Sequence, residues 1–325
     1  MLPRPDVRHR FPAAFAVLLA LASARSWAAT PPWKVAGGFS TDYEHLTIEV
    51  KPLSKNVYFL HGSGGNTAAL LGPEGTLLVD TELAAVAAKL KAALDTLKAG
   101  PTRYVITTHY HSDHAGGNSL FRKGGAVLIA QEQCRARLIQ SQVILYGGWV
   151  SPAIPEEEAP TMTFSRILTL YFNGEEVTAM HLQPSHSDGD AVVYFKHANV
   201  VHLGDIYING LYPIIDIGAK GTIEGYFPVI DEVLSRIDDR TIVIPGHGPV
   251  SNKRELQFYR DMLWTVRNRV SALVAQGKSL EEVIAARPSQ EFDEAWASDR
   301  VGPDGFAAMV YQSLTGRRLQ WRPAH

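Results

Sequence analysis

The sequence predicts an α+β fold in which two β-sheets pack face to face with helices on their outer sides, within one compact domain. Three features lead there. Residues 43–79 are β-rich, with short apolar runs parted by turns containing Gly, Pro and Asn. The chain then passes through a β-α-β order that ends at Thr108, and a looser version of that order follows from Ala126. It closes on a helical tail that starts near Lys253.

Residues 43–50, 56–60 and 68–71 read as strands, joined by Pro52-Leu53-Ser54-Lys55 and by the glycine-rich turn His61-Gly62-Ser63-Gly64-Gly65-Asn66. Gly75 turns the chain into a buried-type strand, residues 76–79, that stops on Asp80. Leu83, Val86, Leu90, Leu94 and Leu97 recur at helical steps with Lys89, Lys91, Asp95 and Lys98 elsewhere, and Gly100-Pro101 ends that helix. Residues 103–108 follow as a strand. Further on, 126–130 reads as a strand, 132–146 as a helix, and 151–160, with three consecutive glutamates, as a solvated loop. Strands come next at 177–182, 191–195 and 200–203, then a helix at 226–237 and a buried strand at 241–244. The tail is helical over 253–275. Ser279 and Glu282 have capping-box spacing for a short helix that ends before Pro288.

Residues 1–28 read as a secretory signal. Arg4, Arg8 and Arg10 make a basic start, residues 11–22 are apolar but too few to span a bilayer, and Ser26-Trp27-Ala28 has the small-x-small form of a cleavage site. The expected mature chain, residues 29–325, is then periplasmic or secreted and keeps no membrane anchor. Removing the leader takes the formal charge from −2 to −5. No basic stripe offers itself to phosphates, which argues against a nucleic-acid partner and for a small-molecule substrate. Cys134 is the only cysteine, so no intramolecular disulfide can form. The sequence carries no signature of an oligomeric state.

The chemistry is concentrated in His109-Tyr110-His111-Ser112-Asp113-His114, at the end of a predicted strand and followed by Ala115-Gly116-Gly117-Asn118. His109 and His111, one residue apart, can close on a single cation, and Asp113 and His114 can reach a second as the chain turns. Divalent transition metals, zinc foremost, prefer such nitrogen and oxygen donors. Three further donors lie beside a glycine at the end of an apolar run or in a glycine-containing turn: His186 in the turn 183–190, Asp205 after Gly204, and His247 in Pro245-Gly246-His247-Gly248. Seven donors divide into three per metal plus one bridge. His45, His61, His181, His197, His202 and His325 stand alone and read as packed or solvated residues.

These residues resemble the metal ligands of the metallo-β-lactamase superfamily, over residues 43–250. The resemblance implies a four-layer αββα sandwich with a dimetal cleft at one edge. It implies that His109, His111 and His186 hold one zinc ion, that Asp113, His114 and His247 hold the other, and that Asp205 bridges them. Manganese and iron suit the same donors. Asp80 matches a family acid that orients a ligand from behind. Two such cations lower the pKa of a shared water, so that hydroxide is available without a serine or cysteine nucleophile. Asp113 is then the catalytic residue that orients it and shuttles its proton. The expected reaction is hydrolysis of an ester, thioester, lactone or lactam-type bond.

Departures narrow the expectation. Dedicated β-lactamases of the superfamily usually carry cysteine or serine where Asp205 stands, and Cys134 lies in another segment. A bridging aspartate is closer to the glyoxalase II and lactonase branches, although Tyr207 is offset from the lactonase tyrosine. Antibiotic hydrolysis stays as an alternative. So does an iron-dependent oxidoreductase on the same scaffold, though its di-iron branch carries glutamate where His111 stands. A third alternative, a binding protein that has lost catalysis, is disfavoured by the intact donor set. His61, Ser63 and Asn66 on the glycine-rich turn, with Trp149, Tyr207 and Tyr212, are the candidate pocket residues.

Overall fold

The computed structural model describes residues 42–319; the expected leader and His325 lie outside them. Four strands, β1 (Glu49–Ser54), β2 (Val57–His61), β3 (Thr67–Gly72) and β4 (Gly75–Val79), run antiparallel in succession. The helix α1 (Ala87–Thr96) crosses over to β5 (Thr102–Thr107), which pairs parallel to β4. Two short helices, α2 (Ser112–Ala115) and α3 (Asn118–Lys123), lead into β6 (Val127–Gln131), parallel to β5. After α4 (Glu132–Leu138) comes a hairpin of β7 (Gln142–Ile144) and β8 (Trp149–Ser151), and then β9 (Met162–Phe164) completes a seven-stranded sheet beside β6.

The second sheet has six strands: β10 (Ile167–Phe172), β11 (Glu175–Met180), β12 (Val192–Phe195), β13 (Val200–His202), β14 (Ile242–Ile244) and β15 (Ser251–Asn252). The helix α5 (Ile223–Arg236) makes the crossover between β13 and the parallel β14. The tail holds α6 (Lys253–Ala275), α7 (Leu280–Ala285), α8 (Asp293–Trp296) and α9 (Pro303–Thr315). No helix among the described residues is long and apolar enough to cross a membrane.

The layering follows from the two-residue period of the strands. Leu77, Val79, Ile106 and Ile129 face Val193, Phe195, Val200 and Ile244 across the space between the sheets. Their neighbours Leu78, Val105 and Leu128 point the other way, onto Leu90, Leu94 and Phe121 of α1 and α3. On the far side, Val201 and Val243 pack on α5, α6 and α9 through Ile230, Leu263 and Val310. Each such fully buried aliphatic side chain contributes about 1.5–3 kcal/mol relative to an exposed one. Helix, sheet, sheet, helix is the αββα order the sequence predicts.

Several elements differ from expectation. The first strand starts at Glu49, because Asp42 accepts a hydrogen bond from the His45 amide and turns the preceding segment. Pro52, expected in a connection, lies within β1, where an edge strand tolerates a missing N–H and the register shifts between Pro52 and Ser54. The helix expected over 132–146 stops at Leu138, and Gly147 and Gly148, both at positive φ, make the tight β7–β8 turn instead. Strands β9 and β10 and the last helices, α8 and α9, have no counterpart in the sequence reading.

Candidate metal centre

Parallel pairing of β4 with β5, and of β13 with β14, puts four strand ends on one edge of the sandwich. The chain leaves β4 at Asp80, β5 at His109 and His111, β13 at Asp205 and β14 at His247. Because β12 runs antiparallel to β13, the turn that precedes β12 and carries His186 reaches the same edge. Backbone bonds lock these ends together: Ala191 N–H donates to Thr108 O at 2.8 Å, Gly246 N–H to Gly204 O at 2.8 Å, and Asn66 N–H to Gly246 O at 2.8 Å. All seven predicted donors are buried here.

They form two groups. His109, His111, His186 and Asp205 converge, as do Asp113, His114 and His247, with the potential ligand atoms of each group within 4.8 Å of one another. Nδ1 of His111 lies 3.1 Å from Nε2 of His186, and Nε2 of His114 lies 3.2 Å from Nε2 of His247. Oδ2 of Asp205 is 3.8 Å from His109 Nε2 and 3.7 Å from His186 Nε2. Its Oδ1 is 3.0 Å from His114 Nε2 and 3.4 Å from His247 Nε2. One carboxylate therefore faces both groups. Four donors set about 2.0–2.1 Å from a tetrahedral ion are separated by roughly 3.3 Å, and the observed spacings bracket that value.

The outer nitrogen of four imidazoles is tied down, so the inner one is the nitrogen that can present its lone pair to an ion. His186 Nδ1–H donates to the carbonyl of Ile214 at 2.8 Å, and His114 Nδ1 faces Asp80 Oδ2 at 2.7 Å. His111 Nε2 faces Asp216 Oδ2 at 3.0 Å. The Thr108 hydroxyl gives its proton to Asp80 Oδ2 at 2.7 Å, so it accepts from His109 Nδ1 at 3.0 Å and leaves His109 Nε2 bare. Nε2 of His109, Oδ2 of Asp113 and Oδ1 of Asp205 are buried without a hydrogen bond. Buried polar atoms are rarely left so. A cation among these residues would satisfy all three, and the donor chemistry fits a divalent metal.

Electrostatics agrees. Burial and the neighbouring imidazole of His114 hold His109 well below the ordinary histidine value. Burial depresses His114 too, but Asp205 and Asp80 outweigh it and lift that ring well above the ordinary value. Burial raises Asp113 and Asp205, yet His247 and His114 hold both well below the usual carboxylate range. The acids draw positive charge to the point where the rings converge.

Two glycines permit the approach. A Cβ on Gly246 would lie 2.1 Å from Asp205 Oδ1, and one on Gly65 would lie 2.1 Å from Cε1 of His114. The glycine-rich turn is held by Glu82, whose buried carboxylate accepts from the amides of Gly62 at 2.5 Å and Gly64 at 2.6 Å. Asp190 likewise shapes the His186 turn, accepting from Ser185 Oγ at 2.7 Å and from the Ser187 amide. Asp216, Glu82 and Asp190 are absent from the sequence-based candidates. Asp216 breaks the apolar run Ile214-Ile215-Asp216-Ile217, and that was the signal available for it.

A cleft of about 960 Å³ opens over the centre, reaching His111, Asp113, Asp205 and His247. His61, Ser63, Trp149 and Tyr212 line it as expected. Asn66 does not: its amide donates to Pro245 O at 2.8 Å and Gly248 O at 2.9 Å, which makes it a structural tie. Nor does Tyr207, which is fully buried with its hydroxyl 2.8 Å from Ser251 Oγ and its ring against Tyr259. Of the solitary histidines, His202 is buried and bound to Asn66 O, His181 is bound to Asp190 O, and His45 sits exposed beside Asp42.

A family model described as the metallo-beta-lactamase superfamily matches residues 61–247. A metallo-beta-lactamase type 2 of Bacillus cereus is 20% identical over 227 residues, 67% of this chain and 83% of that protein. A probable hydroxyacylglutathione hydrolase of Schizosaccharomyces pombe is 27% identical over 152 residues, 44% of this chain and 47% of that protein. Among solved structures, a metallo-beta-lactamase from Pontibacter korlensis superposes with a TM-score of 0.56 at 18% identity, covering 67% of this chain and 99% of its own. A sec-alkylsulfatase from Pseudomonas sp. superposes at 0.61 with 19% identity, covering 82% of this chain and 50% of its own. At such identities the structural likeness speaks for the fold.

Proposed function

The chain belongs to the metallo-beta-lactamase superfamily, and on that footing we propose that it is an exported dinuclear zinc hydrolase of a small molecule with an ester, thioester, lactone or lactam-type bond. The carrying observation is the Asp205 carboxylate, one oxygen turned to each donor group. His109, His111 and His186 would hold one ion and Asp113, His114 and His247 the other, with Asp205 placed to contribute to each. Bound there, divalent ions activate water at neutral pH and polarise the scissile carbonyl.

The protein's own part is positioning and proton handling. Asp113 Oδ2, 3.4 Å from His247 Nε2, is kept ionised and accepts a proton from the attacking water. Asp80, Asp216 and the Ile214 carbonyl fix three rings, so little reorganisation accompanies the reaction. Export rests on the basic and apolar pattern of residues 1–28. β-Lactam hydrolysis is the second reading, favoured by the type 2 relative matched over 83% of its length.

Metal analysis by mass spectrometry, paired with a panel of lactones, thioesters, phosphoesters and cephalosporins, tests the proposal. Two zinc ions per chain and turnover abolished by His111→Ala support it. Tightly bound iron with oxygen consumption would replace it with an oxidoreductase.

A further inference from the structure

We propose that Arg300, supplied by the segment between α8 and α9, anchors a carboxylate of the substrate over the cleft; this rests on the hydrolase reading above. Arg300 lies beyond residue 247, where the family match ends. It nonetheless lines the same cleft as the donors, with a terminal guanidinium nitrogen 3.7 Å from Asp113 Oδ2. That distance is a charge contact, longer than a hydrogen bond. The guanidinium lies over the indole of Trp149, 5.4 Å from the ring centroid. Behind it, the hydroxyl of Tyr146 donates to the backbone carbonyl of Arg300 at 2.8 Å. Two parts of the chain that are distant in sequence, β8 and the C-terminal segment, thus build one wall.

The chemistry of that wall selects its ligand. A guanidinium is weakly hydrated and offers a planar fork of N–H donors that matches a carboxylate, and an aromatic face beneath it fixes its plane. The Arg300 side chain is only 26% exposed, so its charge is poorly screened. Lys51 is the other lysine or arginine of the cleft lining, but it is exposed and shares β1 with Glu49, which lines the cleft too. Phe59, Ile208 and Val301 supply apolar lining. The ligand that fits is an apolar body bearing one carboxylate close to the bond that breaks.

The test uses 4-phenylbutyrate and its neutral amide as probes of the zinc-loaded protein, by calorimetry. Wild type is expected to bind the carboxylate about tenfold more tightly than the amide, the scale of one charge-assisted pair. Arg300→Gln is expected to abolish that preference by weakening carboxylate binding about tenfold. The Tyr146 contact is to backbone and survives the substitution. Arg300→Lys, which keeps the charge but not the fork, is expected to fall between and serves if the glutamine variant does not fold. No preference in wild type, or the same preference in Arg300→Gln, would overturn the assignment. A preference without turnover of any substrate in the panel would sink the hydrolase reading and keep the anchor; turnover without a preference would do the reverse.

Discussion

Nδ1 of His114 and Oδ2 of Asp80 lie 2.7 Å apart, and neither side chain is exposed to solvent. Asp80 also accepts from the Thr108 amide and hydroxyl, both at 2.7 Å, so this one carboxylate sets the His114 ring and the strand end that carries His109. In Asp80→Asn the new NH₂ group cannot accept the Nδ1 proton. The proton then moves to the inward nitrogen and blocks a lone pair meant for metal. The expected result is a 10–100-fold weaker zinc affinity at the group containing His114, measured by competition with a chromophoric chelator.

Asp205 should be the more damaging position, because it serves both groups. Replacing it with Asn removes a negative charge that lies 3.0 Å from His114 Nε2 and 3.7 Å from His186 Nε2. Native mass spectrometry of Asp205→Asn should show zinc falling from two ions to one or fewer per chain. Full occupancy would mean that the carboxylate is not shared.

Removing metal should itself destabilise the fold. Five imidazoles and two carboxylates packed at one edge would be satisfied by a cation, and anything that binds only the native state stabilises it by mass action. Stripping zinc with a chelator is expected to lower the melting temperature by several degrees, restored on adding back zinc. An unchanged melting temperature would argue that the cluster holds no ion.

The donors were legible in the sequence for a physical reason. Asp205 and His247 each follow an apolar run beside a glycine, which is how a buried strand delivers a polar group to an edge. The sandwich was legible for a related reason: Leu77, Leu78 and Val79 alternate between two apolar layers and read as a continuous run. Strands β9 and β10 were hidden, because Met162, Ile167 and Tyr171 are exposed and blur the alternation that marks a half-buried strand. Arg300 was illegible for another reason. Its place beside Trp149 comes only from tertiary packing of the tail, and no local pattern announces it.

Glu82 gives a pH signature. Burial raises its pKa, and the amides of Gly64 and Gly62 only partly pull it back. The native state therefore holds this proton more tightly than the unfolded chain does. The stability from this group is fully present below the unfolded glutamate pKa of about 4.3 and is lost as pH rises through the higher folded value. Glu82→Gln stays neutral, so the difference in stability between wild type and variant should shift in favour of the variant as pH rises from about 4 to about 7. Urea midpoints of the metal-free proteins across that range read the trend, and a flat difference would contradict it.

Gly65 tests the closeness of the glycine-rich turn to the centre. A methyl group there would fall 2.1 Å from Cε1 and 2.4 Å from Nε2 of His114, far inside contact distance. The turn cannot lift away without breaking the bond from the Gly65 amide to Asp113 O, 2.8 Å long, and the ring cannot rotate without leaving Asp80. Gly65→Ala should therefore cost about 1–3 kcal/mol in the metal-free protein, the usual range for overpacking. It should also weaken zinc at the group of Asp113, His114 and His247 while sparing that of His109, His111 and His186. Site-resolved zinc titration with denaturant melts separates the two effects. If both groups keep wild-type affinity, the His114 ring does not lie under the turn.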